Sequence, residues 1–228
     1  MEEIIGSLDA SGAQLPWGPR LYRHLQRLLA PGAEAALRAQ LAAQLGDWVP
    51  TGPALDVGCG DASLLSSMGL APIWGVDRAH DRLRAFDASG AAHRMADQTT
   101  HAICADATAL PFADGSFGLS FCCGLLHHLD DAAAGRALAE MLRVTAPGGR
   151  LLVFDGVWPQ SWLRRPLATL LRAADRGRHM RSEAALRALL GSACPGLRWH
   201  EKRFEYASTG LEGLSCTATL NATQPVHH

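Results

Sequence analysis

The sequence predicts an α/β fold: a doubly wound, mostly parallel sheet with helices on both faces. Three observations carry this expectation. Between residues 54 and 154, short apolar runs alternate with helical patterns, which is what a parallel sheet with crossover helices requires. The first run, Ala54-Leu55-Asp56-Val57, ends in Gly58-Cys59-Gly60, and glycines there let the backbone turn tightly and come close to a ligand. Acids follow two later runs, Asp77 and Asp106, at the strand ends where open α/β sheets hold their ligands.

Taken in order, residues 1–18 read as irregular, with Gly6, Gly12, Pro16 and Gly18. Pro19 suits the first turn of a helix, and Leu21, Leu25, Leu28 and Leu29 repeat at helical spacing. Pro31-Gly32 breaks that helix, and Leu37, Leu41 and Leu45 mark a second one that ends near Gly46. These helices make residues 1–50 an expected helical cap, although a packing layer on the sheet fits the same pattern. Residues 51–228 form the main domain. Its strands are expected at 54–57, 72–77, 101–106, 117–123 and 150–154. Helices should carry Leu64, Leu65 and Met68, then Leu83 and Phe86, then Leu138, Met141 and Leu142. Asp130 or Asp131 is a good N-cap for the last of these, and Pro147-Gly148-Gly149 is expected to turn the chain into the fifth strand.

After Asp155 the regular alternation stops. Residues 158–190 read as a helical insertion, a lid, with Leu163, Leu167, Leu170 and Leu171 facing inward on its first helix and Leu186, Leu189 and Leu190 on a second. The segments 197–206 and 214–220 alternate like strands with no helix between them. They are expected to close the sheet as an antiparallel pair, giving seven strands.

Bulk properties exclude several function classes. The net charge of −1 over 228 residues gives no electrostatic footprint for nucleic acid. No apolar run approaches the ~20 residues that span a bilayer. The N-terminus, Met1-Glu2-Glu3, lacks a signal-peptide pattern, and the six cysteines include no C-x-x-C pair. They read as small apolar residues of a reducing compartment, and a cytoplasmic localisation is expected. No metal site is expected, because no third carboxylate or amide accompanies Asp130-Asp131 at a readable spacing.

The strand-end acids define a chemistry together. Asp77 lies 19 residues after Gly58, where a carboxylate can accept both hydroxyls of a ribose; as a helix N-cap it would look the same. Asp106 after the third strand can accept an adenine amino group. Gly58-Cys59-Gly60, Asp77 and Asp106 thus supply one set of polar groups for one adenosine.

These residues are part of a longer resemblance. Leu55-Asp56-Val57-Gly58-Cys59-Gly60, Asp77, Asp106 with the run from Leu110 to Phe117, Leu125-Leu126-His127-His128-Leu129, and Leu142 to Gly149 follow the motif order of class I S-adenosylmethionine-dependent methyltransferases. The sequence most resembles the small-molecule branch that includes ubiquinone and menaquinone methylases. The motifs cover roughly residues 50–155; the flanks, including Asp175-Arg176-Gly177-Arg178-His179, resemble those of uncharacterised bacterial members of the same branch and identify no substrate. The resemblance implies a Rossmann-like methyltransferase fold with S-adenosylmethionine as cofactor and S-adenosylhomocysteine as product. It implies that Asp56 anchors the methionine amino group, that Gly58, Cys59 and Gly60 line the methionine portion, and that Cys123 and Gly124 face the sulfonium end. Arg78 and Ala107 should wall the adenine. One departure stands out: the family turn usually carries a third glycine, and this chain has Ala62 there.

Methyl transfer is an in-line displacement that needs alignment and, for a poor nucleophile, removal of a proton. His127 and His128 follow the fourth strand, where the acceptor should approach, and a neutral imidazole is a plausible base for a hydroxyl or phenol. They fit equally as helix caps or packing residues. Asp155 could orient that base, bind the acceptor or cap the turn at Gly156. Seven arginines between Ser161 and Arg187 against two acids suit a solvated helix face or a lid for an anionic acceptor. Arg176, Arg178 and His179 are the candidate contacts, with Trp17, Tyr22 and Trp158 as walls for an aromatic or apolar acceptor. The expected function is methyl transfer to a small molecule, oxygen before carbon or nitrogen. An NAD-dependent oxidoreductase and a non-catalytic cofactor-binding or assembly protein are the alternatives; the two-glycine turn and the acid after the third strand argue against the first.

Overall fold

The protein's structure is a computed structural model that describes residues 32–60, 64–68, 70, 72–83, 100–173 and 178–221. The first expected helix, Trp17, Tyr22, Ala62, Phe86, Asp175 and Arg176 lie outside these residues. Seven strands form one sheet: β1 (Ala54–Val57), β2 (Ile73–Asp77), β3 (Thr100–Cys104), β4 (Phe117–Cys123), β5 (Thr145–Gly156), β6 (His200–Glu205) and β7 (Glu212–Thr219). Their order is β3-β2-β1-β4-β5-β7-β6. All neighbours are parallel except β7, which is antiparallel to both β5 and β6. The expected doubly wound sheet with a closing antiparallel pair is therefore the fold.

The strands of the sheet centre are near-continuous apolar runs because both faces are covered. Leu55, Val57, Cys122, Leu151 and Val153 point to one face, where they meet Leu138 and Met141 of α2 (Asp131–Val144) and Leu186 and Leu190 of α4 (Glu183–Ala193). Ala54, Leu119, Phe121, Leu152 and Phe154 point to the other, against Leu41 and Leu45 of α1 (Ala33–Leu45). One strand residue in two changes face, as pleating demands. α1 is a packing layer here: Gln40 and Gln44 donate to Ser215 Oγ at 2.8 and 3.0 Å, and Arg150 donates to the last carbonyls of the helix, Gln44 and Leu45. The reading of 1–50 as a cap thus concerns only residues outside the described ones.

Three elements differ from expectation. After the first turn, residues Leu65–Met68 make a single 3-10 turn. β5 begins at Thr145 rather than after the glycines, because Pro147-Gly148-Gly149 joins the strand through an irregularity in its register with β4. On α3 (Pro166–Ala173), the apolar face is reversed: Ala168 and Arg172 are buried, while Leu167 and Leu170, like Leu163 in the turn before the helix, are exposed and only Leu171 packs inward. Periodicity places leucines on a common face but does not say which face meets the protein, and here buried Arg172 decides. Its guanidinium donates to Tyr206 Oη and, at 2.7 Å, to the Glu212 carbonyl. It also occupies the space where a side chain at Gly156 would stand.

Candidate active site

The carboxyl ends of β1, β2, β4 and β5 converge where the strand order reverses between β1 and β4, which is where open sheets bind their ligands. Gly58 and Cys59 both donate to the Val76 carbonyl, at 2.7 and 3.1 Å. That draws the turn against β2 and requires φ of 75° at Gly58 and 61° at Gly60, values that only glycine adopts freely. A Cβ on Gly58 would lie 2.9 Å from Leu125 Cδ1, so the turn after β1 and the turn after β4 touch. Beside them is a cavity of about 120 Å³ lined by Asp56, Gly58, Cys59, Leu64, Phe121 and Cys123.

Asp77 binds the turn as well as facing the cleft. Its Oδ2 accepts from Gly60 N–H at 3.0 Å and its Oδ1 from Ala79 N–H at 2.8 Å. A carboxylate has further lone pairs, so these bonds leave acceptor capacity for hydroxyls. Asp106 accepts from the Thr108 backbone and hydroxyl, both at 2.8 Å, with Arg78 at 3.8 Å. The Thr108 bonds, first backbone then hydroxyl, hold its carboxyl below its usual range against a small effect of burial, and Arg78 adds to this. Ala107 is buried in the core rather than facing outward. The loop that carries Asp106 is held from α2: Arg143 donates to the Leu110 and Phe112 carbonyls and to Asp114 and Glu140. The Leu110–Phe117 and Leu142–Gly149 motifs thus meet through one arginine.

The β4 and β5 ends carry a different chemistry. His127 Nδ1 lies 2.5 Å from Asp155 Oδ1, and the His127 backbone N–H donates to Asp155 Oδ2 at 3.0 Å. Both residues are buried. The imidazole passes next to Gly124, whose absent side chain would stand 3.5 Å from its Cε1. His128 is exposed and its ring lies 4.2 Å from that of His127. Burial alone would raise the Asp155 pKa; His127, by charge and by hydrogen bond, together with the Gly156 N–H and His128, brings it below the usual carboxylate value. Asp155 is therefore ionised at neutral pH and can only accept, so Nδ1 donates and a neutral His127 keeps its lone pair on Nε2. Burial pushes the adjacent Cys122 and Cys123 thiols up, so neither is a thiolate nucleophile at neutral pH.

Two arginines of the segment after β5, Arg172 and Arg181, are buried. Arg181 is buried; it donates to the Leu126 carbonyl at 2.6 Å, the Leu129 carbonyl at 2.9 Å and Asp131 Oδ1 at 2.7 Å. His179 N–H donates to the His127 carbonyl at 3.1 Å, and Trp158 Nε1–H to the Met180 carbonyl at 3.0 Å. Residues 179–181 therefore clamp the turn that presents His127. Arg165 and Arg187 are paired with Glu205 and Glu201, and Arg203 joins Glu183 to Glu212. Arg178 is exposed and, among the described residues, has no ion-pair partner. Trp158, partly exposed, stands at the base of this segment. In the sequence Arg181 is one of seven arginines between Ser161 and Arg187. What distinguishes it is a set of acceptors some fifty residues away, which no local signal contains. Among the described residues no three His, Cys, Asp or Glu side chains are gathered as a metal site.

A fold with this strand order, this glycine turn and these strand-end acids defines an adenosine-binding α/β enzyme class, and comparison with known proteins gives its family. The methyltransferase-domain family profile matches residues 55–153. A demethylmenaquinone methyltransferase from Mycolicibacterium paratuberculosis is 32% identical over 167 residues, 64% of this chain and 68% of that protein. A malonyl-[acyl-carrier protein] O-methyltransferase from Alcanivorax borkumensis is 35% identical over 53% of this chain, but the match spans only 40% of that relative's length. Geranyl diphosphate C-methyltransferase from Streptomyces coelicolor A3(2), solved with S-adenosyl-L-homocysteine, superposes with a TM-score of 0.64 over 94% of this chain and 89% of its own, at 16% identity. The chain belongs to the class I S-adenosylmethionine-dependent methyltransferases and resembles the demethylmenaquinone methyltransferases within them. The dinucleotide alternative falls with that membership.

The cleft fits S-adenosylmethionine. The small cavity beside Asp56, Gly58 and Cys59 and the spare acceptors of Asp77 and Asp106 lie along the same edge of the sheet.

Proposed function

We propose that this protein transfers a methyl group from S-adenosylmethionine to a small-molecule acceptor, oxygen before carbon or nitrogen, with His127 as general base and Asp155 as its positioning partner. The observation that carries the reading is the buried His127–Asp155 pair, 2.5 Å apart, at the ends of β4 and β5. The cofactor, when bound, supplies a methyl group on a positively charged sulfur, an activated carbon that needs alignment more than a better leaving group. The protein's part is to bind, align and deprotonate. Asp56, Gly58, Cys59 and Gly60 take the methionine end; Asp77 takes the ribose, and Asp106, with Arg78 alongside, the adenine amino group. Cys123 and Gly124 face the reacting centre.

His127 takes the acceptor's proton on Nε2 while Nδ1–H stays bonded to Asp155. The imidazolium so formed lies against an ionised carboxylate, which stabilises it where water is excluded. His128, exposed beside it, tunes the local charge. Arg178 and His179, with Trp158, line the approach of an anionic or aromatic acceptor; Trp17, Tyr22 and Arg176, the other candidates of the sequence, lie outside the described residues. Support for the acceptor class comes from the relatives' names, a demethylated menaquinone and a carrier-bound malonyl group.

The test is a screen of quinols, phenols and carboxylic acids for release of S-adenosylhomocysteine. Turnover with one class that disappears in His127→Asn and Asp155→Asn supports the reading. Turnover that survives both variants removes the base from the mechanism.

A further inference from the structure

We propose that Arg172 is a positioning residue for the His127–Asp155 pair; the inference rests on the function proposed above and adds a residue to the same site. Arg172 sits on α3, a helix of the surface, yet it is only 5% exposed. A buried guanidinium is tolerated where the protein meets its donors and its charge. Here Nη2 donates to the Glu212 carbonyl at 2.7 Å and to Tyr206 Oη, and the Tyr206 ring centre lies 5.4 Å from Cζ. None of these partners belongs to the cofactor or acceptor contacts, so the role of the residue lies in what it covers.

Gly156 of β5 faces Gly213 of β7 across the antiparallel pair, so neither strand offers a side chain there. Phe204 fills the room at Gly213, and Arg172 fills it at Gly156. Nη2, Nη1 and Cζ lie 2.5, 2.6 and 2.7 Å from the point that a Cβ on Gly156 would occupy. Three atoms at nearly one distance mean that the planar group lies over the glycine with its face rather than its edge. The covered residue is the one that fixes the carboxylate. Gly156 N–H donates to Asp155 Oδ1 at 2.8 Å, and the same oxygen meets His127 Nδ1 at 2.5 Å. The Glu212 carbonyl that accepts from Arg172 also accepts from Val157 N–H at 3.2 Å. One guanidinium therefore ties β7 and α3 to the backbone on which Asp155 stands. An apolar side chain could fill the same space but could not bond that carbonyl. Arg181 holds the turn that carries His127 through the Leu126 and Leu129 carbonyls. The two buried arginines of the segment thus hold one partner of the pair each, and alignment of a base with its substrate is sensitive to displacements of an ångström or less.

The experiment is proton NMR of the full chain carrying nitrogen-labelled histidine, read at the His127 Nδ1–H. Wild type should show this proton far downfield, as a short bond to a carboxylate demands, and its loss in His127→Asn assigns it. In Arg172→Met, at a temperature where the variant is folded, the resonance should move upfield or broaden by exchange with water, while calorimetry gives unchanged binding of S-adenosylhomocysteine. Tyr206→Phe keeps the guanidinium and its charge, removes one acceptor from Nη2, and should move the resonance the same way by less. Gly156→Ala puts a methyl group where the guanidinium lies and should move it too. Both changes act on one contact, so Arg172→Met/Gly156→Ala should move it no further than the larger single change. A resonance unmoved in folded Arg172→Met and in Tyr206→Phe, or additive shifts in the double variant, would overturn the proposal. If Arg172→Met does not fold, an unmoved resonance in Tyr206→Phe and Gly156→Ala overturns it alone. Turnover that survives in His127→Asn would count against the proposed base and not against this coupling, which the resonance reads by itself.

Discussion

The two halves of the cleft, one proposed for the cofactor and one proposed for the acceptor, are built differently. The cofactor half, at the ends of β1, β2 and β3, is made of backbone and of acids bonded to nearby backbone. Gly58 and Cys59 hold the Val76 carbonyl, and Asp77 holds Gly60 and Ala79. The acceptor half, at the ends of β4 and β5, is made of side chains brought from far apart, with His127 on Asp155 and Arg181 on Leu126, Leu129 and Asp131. The first half suits a ligand common to a family. The second can be rebuilt around a new acceptor without disturbing the first. If that division is real, substitutions in one half should leave the other half's property intact.

The largest effect is expected from His127→Asn, which should lower kcat by ~10²–10⁴, the usual range for a general base. Binding of S-adenosylhomocysteine, read by calorimetry, should be unchanged. The wild-type rate should rise with pH through one ionisation that this variant abolishes. Gly58→Val comes next and tests the other half. A β-branched side chain would need a left-handed backbone and would meet Leu125 at 2.9 Å, a cost of roughly 2–4 kcal/mol seen as lost cofactor affinity.

Arg181→Met asks whether the clamp belongs to the acceptor half. It takes the guanidinium from the Leu129 carbonyl and leaves the Leu126 carbonyl with the Leu129 N–H at 3.1 Å, at about 1–3 kcal/mol for a buried group. Tm should fall by roughly 2–4 °C for each kcal/mol. At a temperature where the variant is folded, kcat should fall while cofactor affinity holds; an unchanged kcat would make the clamp purely structural.

That clamp also shows what was legible in the sequence. The places of Gly58, Asp77 and Asp106 in the fold were legible because each sits at a strand end and its partners are near in sequence or follow from sheet order. The partners of the arginine-rich segment are not legible in its local charge, because Arg165, Arg181 and Arg187 are neutralised by Glu205, Asp131 and Glu201 from other elements. The reversed face of α3 has the same origin. Leucine spacing could not reveal that Arg172 would be the buried residue. Asp155 could be placed at a strand end, but its contact with His127 required the pairing of β4 with β5.

Smaller effects sharpen the comparison. Asp155 has a lowered pKa in the fold, so the stability it contributes is present above the ordinary carboxylate pKa of ~3.9 and is lost as pH falls through its lower folded value. Chemical denaturation of Asp155→Asn against wild type should show the difference between them shrinking below about pH 4. Arg178→Ala should raise the acceptor KM by up to about fivefold, the scale of an exposed charge contact, with cofactor affinity unaltered. An unchanged KM would remove Arg178 from the acceptor's path.

The most direct measurement is a calorimetric titration of wild type, Asp77→Ala and His127→Asn with S-adenosylhomocysteine. Wild type and His127→Asn should bind alike. Asp77→Ala should bind about tenfold or more weaker, because it loses hydrogen bonds to a charged acceptor worth ~1.5–3 kcal/mol. Absence of binding to wild type, or equal weakening in both variants, would contradict the account.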